Sequence, residues 1–151
     1  MSPPRLDVSL VTPWETGGGI ANYSHRLKDT LETAGQSVTV VPIQSPQSRN
    51  PFGFGDIIRR IPHETDVIHI QFEAGVFGRF LINGICAPSF YLRLSQSDWP
   101  LVTTLHEVHQ VYPNHSPLGS AVVGTRDWLL ETLILSVSDA TVVHTMEAES
   151  V

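Results

Sequence analysis

Short apolar runs alternate along this chain with longer segments of helical periodicity. The runs are rich in β-branched residues and nearly continuous, which is typical of parallel strands buried on both faces. Five strands are predicted, at residues 7–11, 38–41, 67–71, 101–105 and 140–144. In the first helical segment apolar residues recur every three or four positions. They are Ile20, Tyr23, Leu27, Leu31 and Ala34.

The alternation of strand and helix predicts a doubly wound α/β domain of the Rossmann-like type. Helices are expected at residues 20–34, 56–61 and 121–136, and one or two more within 77–95, where Gly84 and Pro88 bend or split them. Residues 44–54 and 106–120 are polar and contain prolines, so they are predicted to be loops. We expect five parallel strands in the order 3-2-1-4-5, joined by right-handed crossovers.

Composition is consistent with one domain and excludes several classes of protein. The chain has 151 residues, 41% of them hydrophobic, which is enough for a sizeable core. A net charge of −6 argues against a general nucleic-acid binder. The single cysteine excludes an internal disulfide. A cytoplasmic protein is predicted, because the N-terminus lacks a signal-peptide core and no apolar run reaches the length of a membrane span.

Three consecutive glycines, at positions 17–19, separate the first strand from the first helix. The first amides of a helix have no partner within the helix, and the helix dipole makes this end positive. Glycines let such amides approach a phosphate or carboxylate, because they have no Cβ. The glycines alone are equally consistent with a flexible turn.

The carboxyl ends of parallel strands meet at one edge of the sheet, and ligands bind there in this class of fold. Residues that follow the predicted strands are therefore the candidate site. Backbone amides, carboxylates and imidazoles are combined in this set. Its members are Gly17, Gly18, Gly19, Glu73, His106, Glu107 and His144.

A dinucleotide site and a nucleophilic enzyme are disfavoured by the sequence. The dinucleotide fingerprint needs a small residue where Asn22 stands, and an acid near the end of the second strand, where the chain reads VPIQ. The nucleophile elbow G-x-S-x-G does not occur, and Cys86 lies away from the strand ends.

A metal site is disfavoured as well. Residues 106–109 and His115 are of ligand type, but they lack the H-E-x-x-H spacing and fall in a predicted loop. His69, in mid-strand, is interpreted as a hydrogen-bonded core histidine, and His25 and His63 as solvent-facing.

Several segments together resemble the N-terminal domain of family 4 glycosyltransferases. PWETGGGIANYS (residues 13–24) and LETAGQSVTVV (31–41) are similar to that family's glycine loop, first helix and entry to the second strand. DVIHIQFE (66–73), PLVTTLHE (100–107) and SDATVVHT (138–145) resemble the third, fourth and fifth strands. The likeness follows the family's order across nearly the whole chain.

The resemblance implies half of a two-domain enzyme. The family has two facing Rossmann-like domains, and residues 1–151 match the first, which mostly receives the acceptor. The second domain, which mostly holds the nucleotide sugar, has no counterpart here, so we expect either a fragment or a partner chain that supplies it. The implied reaction moves a hexose from a nucleotide sugar to a hydroxyl of a carbohydrate or lipid-linked acceptor, with retention. No metal or other cofactor is implied.

The same resemblance implies roles for individual residues. The glycines at 17–19 would offer amides to the donor diphosphate or the acceptor, and His106 would act as a catalytic residue beside the transferred sugar. Glu73 would line the acceptor side. Glu107 stands where the family often has an aspartate. His144 is assigned to substrate binding from its place at the carboxyl end of the fifth strand.

Two alternatives stay open at this point. Because the second domain is missing, the chain is also consistent with a non-catalytic module that binds glycans or nucleotides. The apolar middle helices, with Phe77, Phe80 and Phe90, are explained either by core packing or by a surface that faces the second domain or a membrane carrying the acceptor.

Overall fold

The computed structural model describes residues 4–15, 18–43, 53–73, 77, 86–106 and 117–143. These ranges contain five strands, β1 (Asp7–Thr12), β2 (Ser37–Pro42), β3 (Val67–Phe72), β4 (Leu101–Leu105) and β5 (Ala140–Val143). The helices in the same ranges are α1 (Gly19–Thr33), α2 (Gly53–Arg59), α3 (Cys86–Leu94) and α4 (Pro117–Val137).

All five strands pair in parallel in one sheet, so the predicted Rossmann-like α/β class is confirmed. The predicted strand order is wrong, however. The observed order is β2-β1-β3-β4-β5, in which β3 lies between β1 and β4 and β2 forms an edge. Burial agrees with this order, since β2 is mostly half-exposed whereas four of the six residues of β3 are buried.

Two helices begin inside segments that were predicted to be loops. α2 begins at Gly53 and α4 begins at Pro117. Proline suits the first position of a helix, because its fixed φ is helical and its missing N–H would have no partner there. For the same reason Pro88 is tolerated near the start of α3 and does not break it. Gly84, the other predicted bend, lies outside the described residues.

The hydrophobic core lies against one face of the sheet. Side chains alternate between the faces of a strand, and paired residues of neighbouring parallel strands share a face. Val11, Ile70 and Leu105 belong to the face that packs against α2, α3 and α4, and we call this the core face. The helices contribute a cluster of stacked and tilted rings. Its members are Phe54, Phe77, Phe90 and Tyr91, with Phe72 from β3.

Phe77 and Phe90 are fully buried in this cluster, which is explained by core packing. Phe80, the third aromatic residue of the middle segment, lies outside the described residues. None of the helices in the described ranges combines the length and hydropathy needed to span a bilayer.

The opposite face of the sheet, which we call the α1 face, is packed differently. α1 contacts β1 and β2, and its fully buried side chains are Ala21 and Ser24. The Ser24 hydroxyl lies 2.6 Å from that of Thr12, at the carboxyl end of β1. This buried pair fixes the first turns of α1 against the strand that precedes it.

Candidate functional site

His106 directly follows β4 at the carboxyl edge of the sheet. Its backbone N–H donates to the Phe72 carbonyl, at 3.2 Å, so the pairing of β3 and β4 continues one residue beyond the strand. The side chain is half-buried. An imidazole held in this way has a fixed position and is still accessible.

Tyr23 of α1 connects this imidazole to the first helix. The two rings meet edge to face, with centroids 5.2 Å apart and planes at 81°, a geometry that aromatic rings prefer. Tyr23 lies about one turn after Gly19, the first residue of α1. The N-terminal turns of α1 and the end of β4 therefore lie at the same edge of the sheet.

Gly18 and Gly19 are exposed at the N-terminus of α1. A Cβ placed on either residue would meet no other heavy atom within 4 Å. The backbone of Gly18 is extended, a conformation that any residue adopts. Neither crowding nor strain requires glycine at these two positions, whereas close approach of a ligand to the helix amides would benefit from it.

Gln71 joins His106 to a second imidazole on the α1 face. Its Oε1 lies 2.7 Å from His106 Nε2, and its Nε2 lies 3.2 Å from His69 Nε2. The Thr104 hydroxyl lies 2.8 Å from the same nitrogen of His69. The register pairs Gln71 with Thr104, so alternation places all four side chains on one face.

His69 is neutral at neutral pH. Burial, together with a smaller contribution from the positive charge of a protonated His106, lowers the pKa of its imidazole to about 4. Nε2 of His69 lies within hydrogen-bond distance of the Thr104 hydroxyl and the Gln71 amide nitrogen, which confirms its interpretation as a hydrogen-bonded core histidine. The exposed positions predicted for His25 and His63 are also confirmed.

Glu73 follows β3 on the same edge and is half-buried. Its carbonyl accepts a hydrogen bond from the Phe77 N–H at 3.0 Å. The other predicted site residues, Gly17, Glu107 and His144, lie outside the described residues. The structure thus describes Gly18, Gly19, Glu73 and His106 of the predicted set.

Sequence reasoning missed Gln71, Tyr23 and the pair formed by Trp14 and His25. The last two rings lie 3.7 Å apart between centroids, close to the start of α1. Within the described ranges, no group of three or more histidine, cysteine, aspartate or glutamate side chains is arranged to hold a metal ion. The described part of the site combines helix amides, imidazoles, aromatic rings and the carboxylate of Glu73.

No protein-family model matches this sequence, and no curated protein is significantly similar to it.

Proposed function

We propose that this chain is the acceptor-side domain of a retaining glycosyltransferase, which moves a hexose from a nucleotide sugar to a hydroxyl. One observation carries the proposal. The N-terminal turns of α1 and the imidazole of His106 share the carboxyl edge of a parallel sheet and are joined through Tyr23. The ordered series of glycosyltransferase-like segments in the sequence adds support.

The chemistry of glycosyl transfer fits these groups. Departure of a nucleoside diphosphate concentrates negative charge, which the positive end of a helix and its first amides stabilise. Gly18 and Gly19 present those amides without a Cβ in front of them. Donors fixed before the reaction are effective, because they need no reorganisation when the charge develops.

In this proposal, His106 lies beside the transferred sugar. Positive charge develops on the sugar ring as its bond to the diphosphate breaks and the diphosphate leaves with the electron pair. An imidazole beside the ring can hydrogen-bond a sugar hydroxyl and stabilise that charge. Its contacts with Gln71 and Tyr23 hold the ring in one orientation. Glu73, half-buried on the neighbouring strand end, would line the acceptor side.

Transfer also requires a second domain that binds the nucleotide sugar, supplied by further sequence or by a partner chain. Without it, the proposal predicts binding but no turnover by residues 1–151. A glycan- or nucleotide-binding module without catalysis would bind in the same way and would stay inactive after a second domain is joined.

The binding test is a titration of the ¹⁵N-labelled protein with UDP-glucose, GDP-mannose and a panel of simple glycosides. We expect amide shifts at Gly18, Gly19 and His106 with at least one probe. His106→Ala should weaken the response, whereas His63→Ala, which removes an exposed imidazole, should leave it unchanged. A panel that shifts none of the three amides would contradict the proposal.

The activity test joins the chain to a Rossmann-like domain encoded next to it and measures sugar transfer. His106→Ala should lower kcat by about 100-fold, as expected for loss of a positioned polar group. His63→Ala again serves as the matched control. A joined protein that binds sugars and transfers none would identify the chain as a binding module.

A further inference from the structure

Gln71 lies fully buried between two imidazoles, and its amide contacts both. A primary amide has two distinct ends, since its oxygen only accepts hydrogen bonds and its nitrogen only donates them. Its oxygen faces His106 and its nitrogen faces His69. Each contact therefore specifies where the proton of the facing imidazole is located.

The contact with the oxygen requires His106 to donate from Nε2. In the neutral ring the other nitrogen, Nδ1, then has the lone pair. The contact with the amide nitrogen requires the reverse at His69, whose Nε2 must accept and whose proton is on Nδ1. The Thr104 hydroxyl, 2.8 Å from the same His69 nitrogen, can donate or accept and is therefore compatible with this tautomer.

We propose that Gln71 is a positioning residue that holds His106 as the Nε2–H tautomer by coupling it to the opposite tautomer of His69. The side-chain amide cannot flip by itself, because a flip would place its N–H group against the N–H of His106. Both imidazoles would have to change tautomer together with it.

Two observations support this coupling between the tautomers of His106 and His69. Gln71 and Thr104 are both fully buried, so water does not readily replace either contact, and an unmatched polar group at this depth is costly. His69 also stays neutral at ordinary pH, since burial lowers its pKa to about 4. Its Nε2 is therefore available as an acceptor throughout the neutral range.

The assignment has a consequence for ligands. A ligand that reaches Nδ1 of neutral His106 would meet an acceptor there, and would itself have to donate, as a sugar hydroxyl does. A phosphate or carboxylate oxygen would be rejected there unless the ring is protonated. This step alone rests on the proposed function, whereas the tautomers do not.

The test is a measurement of ring ¹⁵N shifts in the unmodified protein at about pH 8, above the ordinary histidine pKa of about 6.5. Long-range ¹H–¹⁵N correlation distinguishes a protonated ring nitrogen from one with a lone pair, and His→Gln variants assign each ring. We expect the proton of His106 on Nε2 and that of His69 on Nδ1. Exposed His25 and His63 serve as internal references, with both tautomers averaged.

Substitutions at Gln71 then test its part in the arrangement. Gln71→Met should shift the His106 ring nitrogens toward the averaged values of the exposed histidines. Gln96→Met, at an exposed glutamine, should shift neither ring. In Gln71→Glu the ionised carboxylate only accepts hydrogen bonds, so both rings should have their proton on Nε2. This variant provides a second test if Gln71→Met fails to fold.

Identical or reversed tautomers in the unmodified protein would overturn the positioning role. So would a Gln71→Met variant that folds and leaves His106 unchanged. The outcomes are separable from those of the proposed function. Opposite tautomers with no response to any sugar would reject the glycosyltransferase proposal alone, and a sugar response with identical tautomers would reject the coupling alone.

Discussion

The two faces of the sheet are built from the same five strands and have opposite character. The core face is mostly apolar, with Ser9 and Thr103 as buried exceptions, and is covered by α2, α3 and α4, with rings packed at centroid distances of 5.0 to 6.0 Å. The α1 face has two imidazoles, an amide and a hydroxyl in one hydrogen-bonded chain. The hydrophobic core thus lies on one face of the sheet, and the polar side chains of the candidate site lie on the other.

This separation follows from strand periodicity. β3 alternates between Ile68, Ile70 and Phe72 on the core face and His69 and Gln71 on the other. A strand can therefore supply core and site at once, without a compromise at any one position. Substitutions on the two faces should have different consequences, and the predictions below test that.

The largest effect is expected on the core face. Phe90 is fully buried and its ring packs against Phe54, Phe77 and Tyr91. Phe90→Ala should lower the free energy of unfolding by about 4 kcal/mol, through lost burial and a cavity. Urea denaturation measures this as a lower midpoint with little change in slope.

The matched control lies on the same helix. Leu92 is 51% exposed, so Leu92→Ala should cost less than about 1 kcal/mol. The comparison of the two faces would fail if the two variants were destabilised equally. It would also fail if Phe90→Ala altered the His106 ring shifts as strongly as a substitution at Gln71 does.

On the α1 face the expected effect depends on pH. The folded protein lowers the pKa of His69 from 6.5 to about 4, so the unfolded chain binds a proton more readily. Stability from this residue is complete above pH 6.5 and is lost as the pH falls toward 4. The loss amounts to about 3 kcal/mol, because each pKa unit is worth about 1.4 kcal/mol.

Unfolding free energies between pH 7 and pH 4 measure this loss. His69→Gln should be less sensitive to acid than the unmodified protein, since it has no proton to take up. His63→Gln, at an exposed position, should follow the unmodified protein. Parallel curves for all three proteins would show that His69 is not the group held neutral by the fold.

Local pattern predicted the class of fold and most of its elements. The fourth strand, predicted at residues 101–105, has those bounds because a short β-branched run determines its own conformation. The strand order was wrong because it depends on which crossover passes over which neighbour. No single run of residues encodes that choice. In the structure, the half-exposed side chains of β2 agree with its position at the edge of the sheet.

The candidate site was predicted in part for the same reason. His106 is identifiable from sequence because it directly follows a strand. Gln71 was missed because its partners depend on the register between β3 and β4, which pairs it with Thr104. A signal was present in the sequence, since polar residues stand two apart in both strands, at 69 and 71 and at 104 and 106. Such matched spacing indicates a shared polar face.

Substitutions of single glycines are expected to change stability by smaller amounts. Gly35, which follows the end of α1, has a φ of 89°, a backbone conformation that residues other than glycine rarely adopt. Gly35→Ala should therefore cost about 1 kcal/mol. Gly124→Ala, at an exposed position inside α4, should stabilise by up to about 1 kcal/mol, because alanine is the better helix former.

Gly19→Ala is expected to have the smallest effect on stability. The new Cβ meets no other atom within 4 Å, so the free energy of unfolding should stay within about 0.5 kcal/mol of the original. Binding should respond differently, because the methyl group lies in front of amides that the proposal assigns to a ligand. For a nucleotide sugar that shifts Gly18 and Gly19, Kd should rise about tenfold, equivalent to one lost hydrogen bond. Unchanged binding would mean that Gly19 takes no part in binding the ligand. A variant as unstable as Gly35→Ala would show that glycine at position 19 is needed for stability.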